Sequence, residues 1–200
     1  MQSKSKKLIF LLSFIIIIFF LSFIIILLSI LFIQMPSPPS KDDGSRERNI
    51  ITDLLNQGYT FILPRDYFIN SSFNNKTAIL IHDMDFSSSG LQTFIAIEKE
   101  LGVKSAFYPR PDTEWFSQTA SQLQQAELEG WEIGFQYDCL SRANGSFTVA
   151  NQLFIGQLSY MRNLFNISTT TYHGDSYNIN ILNLNFYNQT LWESLSLNEV

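Results

Sequence analysis

Hydrophobic and polar positions divide this chain into three regimes. From Leu8 to Ile33, 26 residues of Leu, Ile, Phe and Ser run without a charge. About 20 apolar residues in a helix cross the hydrocarbon core, so this run is long enough to span with some tilt. Residues 35–48 then carry Pro, Ser and charge with no apolar period, the composition of an extended spacer. Beyond residue 77 the pattern becomes periodic. Ala78–His82 reads as a strand, and its unbroken apolar run predicts burial on both faces. A helix follows, capped from Ser87-Ser88-Ser89, carrying Leu91, Phe94, Ile95 and Leu101, and stopped by Gly102. Lys104–Tyr108 is a second strand, closed by Pro109 and Pro111. Thr113–Glu129 is a second helix marked by Phe116, Leu123 and Leu128, with Gly130 as its stop. Trp131–Tyr137 is a third strand. Ser146 or Thr148 opens a third helix, in which Val149, Leu153, Ile155, Leu158, Met161 and Phe165 recur every three or four residues. Thr169–His173, rich in β-branched residues, is a fourth strand.

Strand–helix alternation with short connections predicts an α/β domain built on a parallel sheet covered by helices. Periodicity does not separate a closed barrel from an open sheet. In either, the C-terminal ends of the strands share one face, where α/β folds collect their chemistry. The first strand ends in His82-Asp83-Met84-Asp85, the third in Gln136-Tyr137-Asp138 and the fourth in His173-Gly174-Asp175; the second contributes Arg110 and Asp112. Imidazoles and carboxylates brought together in this way can hold a metal or move a proton. Arg110, Tyr137 and Asp138 are the candidate substrate-binding groups.

Charge and flanks refine the organisation. Lys4, Lys6 and Lys7 precede the apolar run, and the positive-inside bias keeps that end cytoplasmic. The run exceeds the 7–15 residues of a signal-peptide core. The expected organisation is a cytoplasmic stub over 1–7, a single-pass anchor over 8–33, a spacer over 34–48 and an outward-facing domain over 49–200. That domain has 7 basic and 15 acidic side chains. No basic stripe suggests nucleic acid, and an acidic surface leaves the span as the only membrane attachment. Cys139 is the one cysteine, which excludes an intrachain disulfide. Asn-x-Ser/Thr acceptors occur at Asn70, Asn75, Asn144, Asn166 and Asn188.

The ordered stretches His82-Asp83-Met84-Asp85, Glu100-Leu101-Gly102-Val103-Lys104-x-x-Phe107-Tyr108 and Gly130-x-Glu132-Ile133-Gly134 resemble the polysaccharide deacetylase superfamily (the NodB-homology domain). The nearest likeness is to a branch written with His-Asp-Val-Asp. Gly58-Tyr59-Thr60 with Asp66-Tyr67 resembles the entry segment of that branch. Gln136–Gly145 resembles its His-Tyr-Glu-Asp-Leu-Ser loop, and Tyr172-His173-Gly174-Asp175 with Leu191-Trp192-Glu193 resembles its His-Gly-Ser and Leu-Trp elements. The resemblance covers about residues 50–193. It implies a deformed (β/α) barrel, a divalent metal, usually zinc, and hydrolysis of N-acetyl groups on glycan amino sugars. Asp83 matches the family's base aspartate and forms the candidate catalytic pair with His82. Asp85 is the candidate metal-binding carboxylate, although Met84 stands where the family has its second aspartate. His173 is a candidate metal ligand or acid.

Two departures bear on that function. Gln136 occupies the position of an expected metal-binding histidine, and a neutral amide oxygen is a poor substitute for imidazole on zinc. The sequence also ends at Val200, where family members continue, so an incomplete barrel is expected, one that a partner chain could complete. A catalytically degenerate relative acting as a glycan- or protein-binding module is the alternative. Tyr108, Trp115, Trp131 and Tyr137 could then stack on sugar rings, or else pack in the core.

Overall fold

The computed structural model describes residues 44–70, 73, 75–84, 90–174 and 183–200. The expected stub, anchor and most of the spacer lie outside these residues, as do Asp85, the Ser87–Ser89 cap and Asp175. Among the described residues no helix is long and apolar enough to cross a membrane.

The first described element is helix α1 (Ser45–Asn56). Residues 45–48, expected in the spacer, therefore form its first turn. Ile51 of this helix is buried with Ile97 and Val103 in a small core of its own. Arg48 reinforces the contact by donating from both terminal nitrogens to Glu100, at 2.7 and 2.8 Å. Strand β1 (Thr60–Ile62) and the short helix α2 (Pro64–Ile69) follow.

The expected first strand is two segments, β2 (Thr77–Ile79) and β3 (Ile81–Met84). β2 pairs in parallel with β1, whereas β3 pairs in parallel with β4 (Ala106–Pro109). The Leu80 carbonyl between them accepts from the Ala106 N–H at 3.0 Å, so the run is continuous but changes neighbour. It is not buried on both faces: Ile79 and Ile81 are 38% and 39% exposed. The third expected strand behaves alike. β5 (Glu132–Ile133) pairs with β4, β6 (Phe135–Tyr137) pairs with β7 (Thr169–Tyr172), and the Gly134 N–H between them reaches the Phe107 carbonyl at 2.9 Å. β8 (Asn198–Glu199) closes the series beside β7. All pairings are parallel and the strands follow chain order without reversal. Passing from one neighbour to the next along a single strand is the stagger of a coiled sheet. Among the described residues the sheet does not close into a barrel.

Helices α3 (Leu91–Leu101), α4 (Phe116–Leu128) and α6 (Phe147–Arg162) connect the strands, and short α5 (Cys139–Arg142) and α7 (Gln189–Ser194) complete the set. Gly102 ends α3 at φ 70°, where a side chain would be strained. Ser146 caps α6 by accepting from the Val149 N–H. The buried stripe of α6 is Ala150, Phe154, Leu158 and Met161. Val149, Leu153 and Ile155 instead face outward, as does Leu128 of α4. The main core joins Phe107, Ile133, Phe135 and Tyr137 of the sheet to Phe116, Leu123, Phe154 and Trp192 of the helices. All five glycosylation-acceptor asparagines are exposed.

Gly134 is the tightest point of the sheet, because a Cβ there would lie 2.1 Å from Cε1 of Tyr108, a fully buried ring. Gly134→Ala should lower stability by about 1–3 kcal/mol or more through overpacking. Gly156, inside α6, has open space around its Cβ position, and Gly156→Ala should raise stability by roughly 0.5–1 kcal/mol. Denaturant unfolding of both variants reads the opposite signs directly.

Candidate functional site

Successive side chains of a strand point to opposite faces, and this separates the two residues expected to act as a pair. In the β3–β4 register His82 lies opposite Phe107 and Asp83 opposite Tyr108. His82 turns toward the helices. Its ring stacks between Phe94 and Phe107, with centroids 4.9 and 4.8 Å away. Nε2 lies 2.7 Å from Glu98 Oε1 and 3.8 Å from Glu47 Oε1. Glu98 is fully buried, and its second oxygen accepts from Trp131 Nε1. Glu47, His82 and Glu98 each offer a ligand atom, all within 4.8 Å of one another, and the group could hold a metal ion.

Asp83 takes the other face and is exposed. Neighbouring positions on this face are Tyr108, Glu132, Gln136, Thr169 and Thr171, by register and alternation. The Tyr108 hydroxyl donates to Thr169 Oγ1 at 2.9 Å, and Thr169 donates in turn to Glu132. The Arg65 N–H of α2 reaches the second Glu132 oxygen at 2.9 Å. Burial raises the Glu132 carboxyl above the usual carboxylate range, against these hydrogen bonds. It raises the Tyr108 phenol too, with the Glu132 and Asp83 charges adding to the effect. Gln136 is buried, and its Oε1 has no hydrogen-bond partner among the described residues.

The strand ends do converge. Arg110 follows β4 and pairs with Asp138, which follows β6, at 3.3 Å. Asp112 and Arg142 complete a four-membered network: Arg110 meets Asp112 at 3.3 Å, and Arg142 contacts both Asp112 and Asp138. Asn183 ties this network to the end of β7. Its amide donates to Asp138 Oδ1 at 2.6 Å and to the His173 carbonyl at 3.2 Å, while its oxygen accepts from the Ser141 N–H. His173 is buried, its N–H bonded to the Tyr137 carbonyl at 2.8 Å. Arg110, Asp138 and His173 are therefore neighbours, as the strand order predicts. Asn183 has no local signature in the sequence; its role depends on a fold that brings it back over Asp138.

Tyr137 lies elsewhere. It is fully buried among Phe154, Phe186 and Trp192, and its hydroxyl donates to Glu199 at 2.6 Å. Tyr108 and Trp131 are fully buried as well, and Trp115 packs against the core. Three of the four aromatic residues considered for sugar stacking are thus closed to solvent, and packing explains them. Exposed rings occur instead at Phe68 and Tyr187, which with Tyr172, Gln189 and Glu193 line a groove of about 550 Å³.

No family model, curated protein or solved structure matches this chain.

The raised Glu132 carboxyl has a definite sign in stability. A carboxyl whose folded value lies above its unfolded one binds its proton more tightly when folded. Its contribution is complete below the unfolded value and is lost as pH rises through the folded one. Glu132→Gln should therefore flatten the fall in stability as pH rises above the ordinary carboxylate range of about 4, read by denaturant titration at successive pH values. A parent curve with no such fall would show that Glu132 is ionised in the fold at no cost.

Proposed function

We propose that this chain is a membrane-anchored, polysaccharide deacetylase-like protein whose outward-facing domain engages the N-acetyl amino sugars of a glycan at the C-terminal ends of its strands. The observation that carries this reading is the parallel, chain-ordered sheet with exposed Asp83 on one face, beside strand ends braced by Arg110, Asp138 and Asn183. That arrangement is consistent with part of a deformed (β/α) barrel of the deacetylase type, to which a partner chain could add the closing strands. The activity implied is hydrolysis of the N-acetyl group with the help of a divalent metal, usually zinc.

The described residues do not fit a three-ligand zinc site on that face. By the resemblance Gln136 stands in the position of the imidazole, buried, with an amide oxygen that none of the described residues satisfies; this neutral, weakly basic oxygen leaves the site short of one good ligand. No step is therefore drawn through a metal. What the chain's own residues supply is a solvent-facing carboxylate at Asp83, suited to taking a proton from water, and a buried imidazole at His173, whose backbone N–H bonds the Tyr137 carbonyl. Gln136 favours a second reading, in which hydrolysis is lost and glycan binding remains.

The test uses the full-length chain in detergent micelles, dialysed and then supplied with zinc. Acetate release from N-acetylated oligosaccharides should be slow, absent in Asp83→Asn, and at least tenfold faster in Gln136→His. Gln136→His should also retain one more equivalent of zinc than the parent. Failure to gain metal would overturn the placement of Gln136 in a ligand shell. Glycan binding without any acetate release in the parent would select the second reading, and neither binding nor release would overturn both.

A further inference from the structure

The Glu47–His82–Glu98 group lies on the opposite face of β3 from Asp83, and nothing proposed above uses it. It joins three elements: α1 through Glu47, β3 through His82 and α3 through Glu98. We propose that it is a second, structural divalent-cation site of the zinc class, clipping α1 onto the body of the domain.

Donor chemistry comes first. One imidazole nitrogen and two carboxylates make a set suited to zinc, with water or a second carboxylate oxygen completing four-coordination. Imidazole selects such an ion over calcium or magnesium, which prefer all-oxygen shells. Geometry follows. Ligand atoms around tetrahedral zinc stand about 3.3 Å apart. Here His82 Nε2 is 2.7 Å from one carboxylate oxygen and 3.8 Å from the other, on either side of that spacing, and all three ligand atoms lie within 4.8 Å of one another.

Two independent observations give the group the supporting structure of a metal site. The imidazole plane is held between two rings, Phe94 at an interplanar angle of 8° and Phe107 at 17°. The Glu98 carboxylate is held by Trp131 Nε1 on the oxygen that His82 does not use. Outer contacts of this kind fix ligand orientation at metal sites. Charge points the same way. The side chains of His82 and Glu47 are 13% and 11% exposed and that of Glu98 is fully buried. Two carboxylates held together in so dry a place favour a cation between them, and a divalent ion matches their formal charge.

The experiment is a zinc titration of the full-length chain in detergent micelles, stripped with a chelator and dialysed, followed by bound-metal analysis and thermal unfolding. The parent should bind one equivalent and unfold at a higher temperature with zinc than without. Glu47→Gln and His82→Gln should each weaken binding at least tenfold and abolish the thermal shift, whereas Asp83→Asn should leave both unchanged. No binding by the parent would overturn the proposal whatever the variants do. Binding lost in Asp83→Asn and kept in Glu47→Gln would also overturn it, and would place the ion on the glycan-facing side instead. Cobalt substituted for zinc gives a further readout on the parent alone. Visible bands of a four-coordinate nitrogen–oxygen shell are expected, and a purely octahedral aqua-type spectrum would count against the site.

Discussion

Alternation along β3 governs how this domain distributes its chemistry. Adjacent residues of a strand cannot serve one face, so His82 and Asp83 enter different environments. His82 falls among helices, between two phenyl rings and against buried Glu98. Asp83 falls on the solvent-accessible side, next to the Tyr108–Thr169–Glu132 hydrogen-bond chain. The adjacent His82 and Asp83 therefore belong to two half-sites, back to back through the sheet. A reaction that needed both groups on one substrate would require the strand to break register, and four consecutive parallel pairings hold it.

The same sheet depends on changing partners partway along its strands. β2 and β3 form one run that serves β1 and then β4, and β5 and β6 form one run that serves β4 and then β7. At the second junction the Tyr108 ring occupies the space a side chain on residue 134 would need. Glycine there lets the ring cross the inner face, and its hydroxyl reaches Thr169 on a strand two places away. The coil of the sheet, the burial of Tyr108 and the link to Glu132 are thus one packing solution. It follows that Tyr108, Thr169 and Glu132 are tied together beneath Asp83, while the Gln136 amide oxygen on the same face finds no partner among the described residues.

Much of this was legible in the residues. Alternation predicts the order of strands and helices, and Gly102 and Gly130 stop their helices where expected. The gathering of Arg110, Asp138 and His173 follows from parallel strands alone. What escaped depended on contacts distant in sequence. Apolar spacing on α6 chose Val149, Leu153 and Ile155, while packing chose Ala150, Phe154, Leu158 and Met161. A helix with apolar residues around most of its girth does not declare which face meets the sheet. Tyr137 reads as a polar strand end but is core, because Phe154, Phe186 and Trp192 return from later in the chain to cover it. Glu47 and Glu98 carry no mark of their own, being ordinary helix glutamates until α1 and α3 bring them to His82.

The network at the strand ends bears on what kind of ligand the domain can take. Arg110, Asp112, Asp138 and Arg142 balance to zero charge and pair among themselves, and the Asn183 amide nitrogen links Asp138 to the His173 carbonyl after β7 while its oxygen accepts from the Ser141 N–H. A group recruited there would have to break an interaction between partly buried ions, which is costly when it leaves one of them unpaired. The network is better suited to bracing the strand ends than to receiving a substrate. Asp83, exposed on the same face, is more accessible than the members of that network. On the proposed reading, a neutral, hydroxyl-rich glycan would present donors to that carboxylate and bring no charge for the balanced network to accommodate.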